Sequence, residues 1–263
     1  MKIITSAENI EIKEAKKLHE TKHRNDLGLF FFEGVHLYEE YTKSGKTPYR
    51  VFLTEDNASI SPDFEGKRVI TETLYKKITA EKAPQGVFTV ARKNDVDVKS
   101  VSESEVLSLL NGSAVVLESM RDPGNVGTVI RTAASLGVKI IFTEDCADIF
   151  NPKVLRASMG AVFHDEIYIV PSATELAKVA VKEGYDVYGT VLDPKAHKVG
   201  SFIPSQKSIF IIGNEGNGIK EETVSQCNKF AYIPMTNKTE SLNAAIASTI
   251  FMWEIAKTAG DNK

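Results

Sequence analysis

The chain has 263 residues, 42% hydrophobic and 25% charged, with a formal net charge of −3. That composition is long and apolar enough to bury a core and excludes a disordered, collagen-like or coiled-coil chain. No window approaches the roughly 18 uninterrupted apolar residues of a membrane span, two cysteines cannot build a disulfide framework, and neither half of the chain is basic, so a nucleic-acid partner has to be held by a local patch. The first residues turn charged at once and hold no apolar stretch for a signal peptide, so a reducing cytoplasm is the expected compartment.

In chain order, residues 8–20 place Ile10, Ala15 and Leu18 near helical spacing, with Ser6 as the cap. LGLFFFEG (27–34), with three consecutive Phe, reads as a buried strand, and the next eleven residues as a helix stopped at Gly45. Strands are expected at 49–56, 67–70 and 85–93, with a helix at 71–79 between the last two. This alternation predicts a small α/β domain over residues 1–95. A polar stretch from 96 to 112 is expected to be a linker.

After the linker, a second domain over 113–263 repeats the rhythm more regularly. Strands are predicted at 114–119, 139–145, 165–170, 186–193, 208–216 and 229–234. Helices are predicted at 126–137, at 151–160 with Asn151 as cap and Pro152 at its first position, at 172–185, at 220–228 and near 241–259. Near-continuous apolar strands alternating with helices argue for a mostly parallel sheet covered on both faces. In such a sheet, ligands gather at the carboxyl ends of the strands.

Three strand ends in this domain are rich in Gly, Asn and Ser. In ESMRDPGNVGTVIR (118–131), Pro123 and Gly124 mark a turn, Asn125 sits where the helix is expected to begin, and Arg131 follows on an otherwise apolar helix. Asn125 alone also reads as a plain helix cap. An arginine buried without a partner is costly, so Arg131 is expected to face a polar site. In IIGNEGNGI (211–219), three glycines in six residues allow close backbone approach to a ligand. This is neither the dinucleotide fingerprint nor a P-loop, and Glu215 within it suits a hydroxyl, an amine or a cation better than a phosphate. In IPMTNKTESLNAAIAS (233–248), a polar loop leads to Ser241 as the expected cap of a long small-residue helix.

Five histidines at unrelated spacings and two distant cysteines predict no metal site, and no G-x-S-x-G elbow is present. Residues 13–24, KEAKKLHETKHR, read either as a solvated helix face or as a patch that meets RNA phosphates.

Taken together, N-V-G-T-V-I-R (125–131), G-N-E-G-N-G (213–218) and I-P-M…S-L-N-A-A-I-A (233–247) resemble the three signature motifs of the SpoU (TrmH) family of RNA ribose 2′-O-methyltransferases. The stretch I-K-E-A-K-K-L…K-H-R-N…G-L-F-F-F-E-G resembles the substrate-binding domain often fused to these enzymes, whose fold is similar to certain ribosomal proteins. The resemblance implies a SPOUT-type α/β domain with a trefoil knot, a homodimer, S-adenosylmethionine as methyl donor, and RNA, foremost ribosomal RNA, as substrate, without metal or membrane. It implies that Gly213, Ile233 and Leu242 line the donor site, with Met235, Gly189 and Thr190 close by. Arg131, Asn125, Glu215, Ser241 and Asn243 match the polar catalytic positions, and Lys17, Lys22 and Arg24 are the candidate RNA contacts. Alternatives on the same fold are a tRNA 2′-O-methyltransferase and a non-catalytic RNA-binding or ribosome-assembly factor.

Overall fold

The computed structural model describes residues 3–193, 195–236 and 241–260. It divides into two compact units, one of Met1–Asp97 with Asp148–His164, the other of Val98–Ala147 with Asp165–Lys263.

In the first unit, α1 (Ile10–Lys17) is capped by Asn9, whose side chain accepts from the Glu11 N–H; Ser6 is not its cap. α2 (Thr21–Leu27) follows at once; the reading of 13–24 as a helix face reaches only its first half and gave no separate helix, because the polar sequence TKHRNDL carries no apolar period. β1 (Leu29–Glu33), α3 (Val35–Lys43), β2 (Arg50–Thr54), β3 (Lys67–Ile70), α4 (Glu72–Ile78) and β4 (Val87–Arg92) complete the α/β pattern. The sheet order is β1-β4-β2-β3, with β2 and β3 parallel and the other pairs antiparallel.

Phe30, Phe31 and Phe32 are all buried because both faces of this sheet are covered. Phe31 packs with Ile12, Leu18, Leu74 and Phe88 in the layer under α1 and α4. Phe30 and Phe32 alternate to the opposite face, where their rings lie 4.9 Å from Phe150 and 5.0 Å from Phe163. Residues 148–164 therefore complete the core of the first unit, although the sequence assigns them to the second domain. Arg24 belongs to the same junction. It is only 1% exposed, its Nη2 meets Asp148 Oδ2 at 2.6 Å, and its Nη1 donates to the Leu18 and His19 carbonyls at 2.9 and 3.0 Å. Its charge is spent inside the protein, which removes it from the expected RNA contacts. Losing one partner of such a pair costs about 3–5 kcal/mol.

The rest of the chain contributes β5 (Val98–Ser100), α5 (Glu103–Leu109), β6 (Ala114–Leu117), α6 (Pro123–Leu136), β7 (Lys139–Thr143), α7 (Pro152–Ala157, within the first unit), β8 (Ile167–Val170), α8 (Ala173–Lys182), β9 (Asp186–Thr190), β10 (His197–Lys198), β11 (Ser208–Ile212), α9 (Glu221–Gln226), β12 (Lys229–Tyr232) and α10 (Ala244–Gly260). Eight of these strands form one sheet in the order β10-β12-β9-β11-β6-β7-β8-β5, and every pair is parallel. The expected linker at 96–112 is not a linker: β5 pairs with β8, and α5 buries Val106 and Leu107 in the core beside α8. Polar residues between those few apolar anchors hide the strand from a composition argument. The opposite face of the sheet is covered by α6 and α10, with Phe251 of α10 stacked 5.4 Å from Phe210 of β11. No helix among the described residues is long and apolar enough to cross a membrane.

Glu166 fastens this edge of the sheet. Its carboxylate accepts from Lys139 at 2.9 Å, Lys99 at 3.0 Å and the Tyr168 hydroxyl at 3.0 Å. Those bonds, the one from Lys139 foremost, pull its pKa down to about 2 from the usual 4.5. A depressed carboxyl pKa stabilises the fold above the unfolded value, and that stabilisation disappears as pH falls through the folded one. Denaturation midpoints of wild type and Glu166→Gln are therefore expected to differ above about pH 5 and to converge near pH 2. A constant offset across that range contradicts this role.

Candidate active site

Parallel pairing brings all strand carboxyl ends to one edge of the sheet. β6 lies beside β11, β11 beside β9, and β9 beside β12, so the turns that leave these four strands are neighbours despite their separation in sequence. These turns contain all three motifs.

The first motif starts earlier than its sequence suggests. The cap of α6 is Asp122, whose Oδ1 accepts from the Asn125 N–H at 2.8 Å, and Pro123 occupies the first turn. Pro123 and Gly124 are helix and not a turn, since proline lacks the N–H that an N-terminal helical residue leaves unused. Asn125 is thereby relieved of capping, and its side chain projects from the first turn of α6. In the third motif the cap is Asn243 and not Ser241. Asn243 Oδ1 accepts from the N–H groups of Ala245 and Ile246 at 2.9 and 3.2 Å. Residues 237–240 of the preceding loop lie outside the described residues.

This cap sets the direction of a hydrogen-bonded chain. With its oxygen committed to α10, Asn243 donates through Nδ2 to Asn125 Oδ1 at 3.0 Å. Asn125 must then present its own Nδ2 outward, and it donates to Glu215 Oε1 in the glycine-rich turn. The three motifs are thus joined in one line that ends on a carboxylate. Within the second motif, Asn214 Oδ1 accepts from the N–H groups of Gly216 and Asn217 at 2.9 and 2.7 Å, which rolls the turn into a tight loop.

A cavity of about 550 Å³ opens beside this line. Thr190, Gly213, Ile233, Met235 and Leu242, five of the six expected donor-site residues, line it together with Glu215 and Ser241. Gly189 does not; it is buried in β9 against Phe230 and Cys227. The size falls within the range of small-molecule sites, and a largely apolar wall with a few polar groups is their usual make-up. Gly213 is required sterically, because a Cβ there would lie 1.9 Å from the carbonyl carbon of Gly218.

Arg131 stands apart. It is exposed on α6 and lines a separate groove with Thr249, Ile250 and Trp253 of α10. It makes no hydrogen bond to Asn125, Glu215 or Asn243. Of the expected RNA contacts, Lys17 and Lys22 are exposed on the first unit.

The sequence offered no motif for the groups that brace the glycine-rich turn. Glu118 is 1% exposed; its carboxylate accepts from the Lys220 N–H at 2.8 Å and the Thr223 hydroxyl at 2.6 Å. Asp145 receives the side chains of Ser119, Thr143 and Lys220. Burial raises its pKa, but those hydrogen bonds outweigh burial and hold the carboxyl below its ordinary value. Lys220, at the exit of the turn, is therefore held at its backbone from β6 and at its side chain from β7. The one visible hint was an acidic residue at the end of an apolar strand. Burial pushes the neighbouring Cys227 thiol up to about 12, helped by Glu118, so it is inert at neutral pH. Among the described residues no group of His, Cys, Asp or Glu is arranged to hold a metal ion.

Residues 112–253 match the SpoU rRNA methylase family, and residues 9–89 match an MRM3-like substrate-binding domain. The chain is 31% identical to the 23S rRNA (guanosine(2553)-2′-O)-methyltransferase RlmP of Bacillus subtilis, over 97% of this chain and 99% of that protein. Among solved structures, it resembles an AdoMet-bound rRNA methyltransferase from Sinorhizobium meliloti with a TM-score of 0.80 at 26% identity, covering 98% of both chains. It also resembles a TrmH-family RNA methyltransferase from Porphyromonas gingivalis with a TM-score of 0.77 at 27% identity, over 94% of this chain and 97% of that one.

The close approach at Gly213 yields an expected outcome. Gly213→Ala must push the turn away from Gly218, and calorimetric titration with S-adenosylmethionine is expected to show binding weaker by about tenfold or more, a loss of roughly 1.4 kcal/mol. A variant that binds as wild type does would show that the turn is not part of the binding wall.

Proposed function

The chain belongs to the SpoU rRNA methylase family, and from that premise we propose that it is an enzyme that moves a methyl group from S-adenosylmethionine to a ribose 2′-hydroxyl of ribosomal RNA. The observation that carries the proposal is the line Asn243–Asn125–Glu215, which ends with Glu215 at the wall of a cavity of about 550 Å³. The donor supplies an electrophilic methyl group on a positively charged sulfur. Gly213, Ile233, Met235, Leu242 and Thr190 are the residues that would hold it, through apolar contact and main-chain groups. Glu215 fits a cationic ligand by charge and disfavours a phosphate at the same place.

Asn125 and Asn243 are fixed by each other and by α10, so they orient polar groups of the substrate without reorganising during the reaction. Arg131 carries a planar guanidinium whose fork of donors matches phosphate oxygens. We assign it to gripping a phosphate beside the target ribose, from the groove it lines on α6 and α10 apart from the cavity. Ser241, on the cavity wall, brings a hydroxyl able to contact the ribose or the donor.

We infer a homodimer formed through the α6 and α10 face, where Trp253 is 55% and Ile246 50% exposed. Large apolar side chains left open beside a charged functional residue are a common mark of an interface. We infer a knotted path for the C-terminal segment on the strength of the family; β12 beside β9 and the return of α10 onto α6 are compatible with it. A cytoplasmic location is proposed from the substrate and from two unpaired cysteines, Cys146 and Cys227.

Incubation with unmodified ribosomal RNA and methyl-labelled donor, with mapping by reverse-transcription stops at low nucleotide concentration, is expected to reveal one ribose-methylated site. No transfer to any ribosomal RNA overturns the proposal. Arg131→Ala is expected to lose about 100-fold or more in turnover while calorimetry still registers donor binding; near-normal turnover would remove Arg131 from the mechanism. Trp253→Glu is expected to shift sedimentation from dimer to monomer, and an unchanged profile would exclude this face as the interface.

A further inference from the structure

The helices α1 and α4 pack side by side through Ile12, Ala15 and Leu18 on one and Leu74, Tyr75 and Ile78 on the other. Outside that apolar seam their polar edges border an open groove of about 590 Å³. Lys13, Lys16 and Lys17 enter it from α1 and Lys77 from α4. The first three share a helical face, because their spacings of three and four residues return to one side of an α-helix. His19 joins the ends of the two helices, with its Nε2 at 2.7 Å from the Ile78 carbonyl oxygen and its ring 4.6 Å from Phe31.

The charge here is unbalanced. Several other cations of the first unit are each held by a carboxylate: Lys43 lies 3.0 Å from Glu40, Lys67 2.8 Å from Asp63, and Arg68 2.7 Å from Glu11. In the groove, Lys13 is bonded to Glu8, whose carboxylate also feels Lys77. Lys16 and Lys17 make no ion pair among the described residues. The acidic side chain in the groove wall is Glu20, which lies 3.4 Å from His23. Four lysines therefore face Glu8 and Glu20.

We propose that the groove between α1 and α4 is a phosphodiester-binding surface, in which Lys13, Lys16, Lys17 and Lys77 hold the backbone of the substrate RNA. This rests on the function proposed above, since it names how that substrate is held. Ammonium groups on flexible stems are point charges suited to a run of phosphates. The groove offers no buried, converging donors of the kind that select a single small anion, and no fixed polar pairs that read base edges. It therefore contributes affinity and register but not sequence choice. Lys22, on α2, is outside the groove and has no part in it.

The test uses the full chain with Lys16, Lys17 and Lys77 all changed to Ala, beside Lys178→Ala, a surface lysine of α8, as the control. All three target residues are exposed, so far-UV circular dichroism is expected to be unchanged. Binding to unmodified ribosomal RNA is measured across a salt series. With about 0.7–0.9 of a counterion released per phosphate contact, the slope of log K against log salt should fall by about 2–3 and affinity at 0.1 M salt on the order of a hundredfold. KM for RNA should rise, while turnover at saturating RNA and donor binding by calorimetry stay at wild-type values. An unchanged slope and KM in the triple variant, with wild type methylating normally, overturns the groove and leaves the proposed function standing; in that case an acidic protein is the better occupant to consider. Failure of the wild type to methylate any ribosomal RNA overturns the function instead.

Discussion

Because β6, β9, β11 and β12 run side by side in one direction, the turns that leave them have to begin at the same edge of the sheet. Everything at the candidate site follows from that parallel arrangement. It brings Asn125, Glu215 and Asn243, which are 90 and 118 residues apart along the chain, within hydrogen-bonding reach of one another. It also leaves a cavity whose walls come from the ends of several strands, the place where open α/β sheets keep their ligands. An antiparallel neighbour at any of these positions would send its turn to the far edge.

The line of amides gains its direction from a helix end. Two backbone N–H groups at the start of α10 claim the oxygen of Asn243. The orientation of Asn243 dictates that of Asn125, which presents a donor to Glu215. Each bond in the line is exposed and worth only about 0.5–1.5 kcal/mol, so its importance is geometric. Glu118 and Asp145 support the same arrangement from beneath by fixing Lys220 at the exit of the glycine-rich turn. The polar side chains at the surface of the site are thus aimed by a second set that never reaches the cavity.

Much of this was legible beforehand. The glycine-rich turn after an apolar run, and the three motifs with their order and spacing, were sufficient to carry the family resemblance, and five of the six residues it pointed to line the cavity. Other features were hidden for identifiable reasons. Asn125 and Ser241 look like helix caps because Asn and Ser are favoured caps, yet Asp122 before Pro123 and Asn243 before an alanine-rich run compete better for those places. Arg24 stands in a run of basic residues, and only the fold reveals that Asp148, 124 residues away, takes its charge inside. The stretch 96–112 is polar enough to read as a linker, but Val106 and Leu107 suffice to anchor it to the core.

By itself the sequence determined what is local or periodic: alternating strands and helices, the buried run at Phe30–Phe32, the position of each polar turn, and the family resemblance those turns carry. Tertiary structure decided which side chains meet. Burial of Phe30 and Phe32 required a cover that had to come from residues 148–164. The separation of Arg131 from the cavity, the bracing role of Glu118 and the lysine groove between α1 and α4 depend on how distant elements pack. Side-chain periodicity constrains which face of an element is apolar, but it contains no term for the element that will lie against that face, and those long-range pairings are set only when the whole chain has folded.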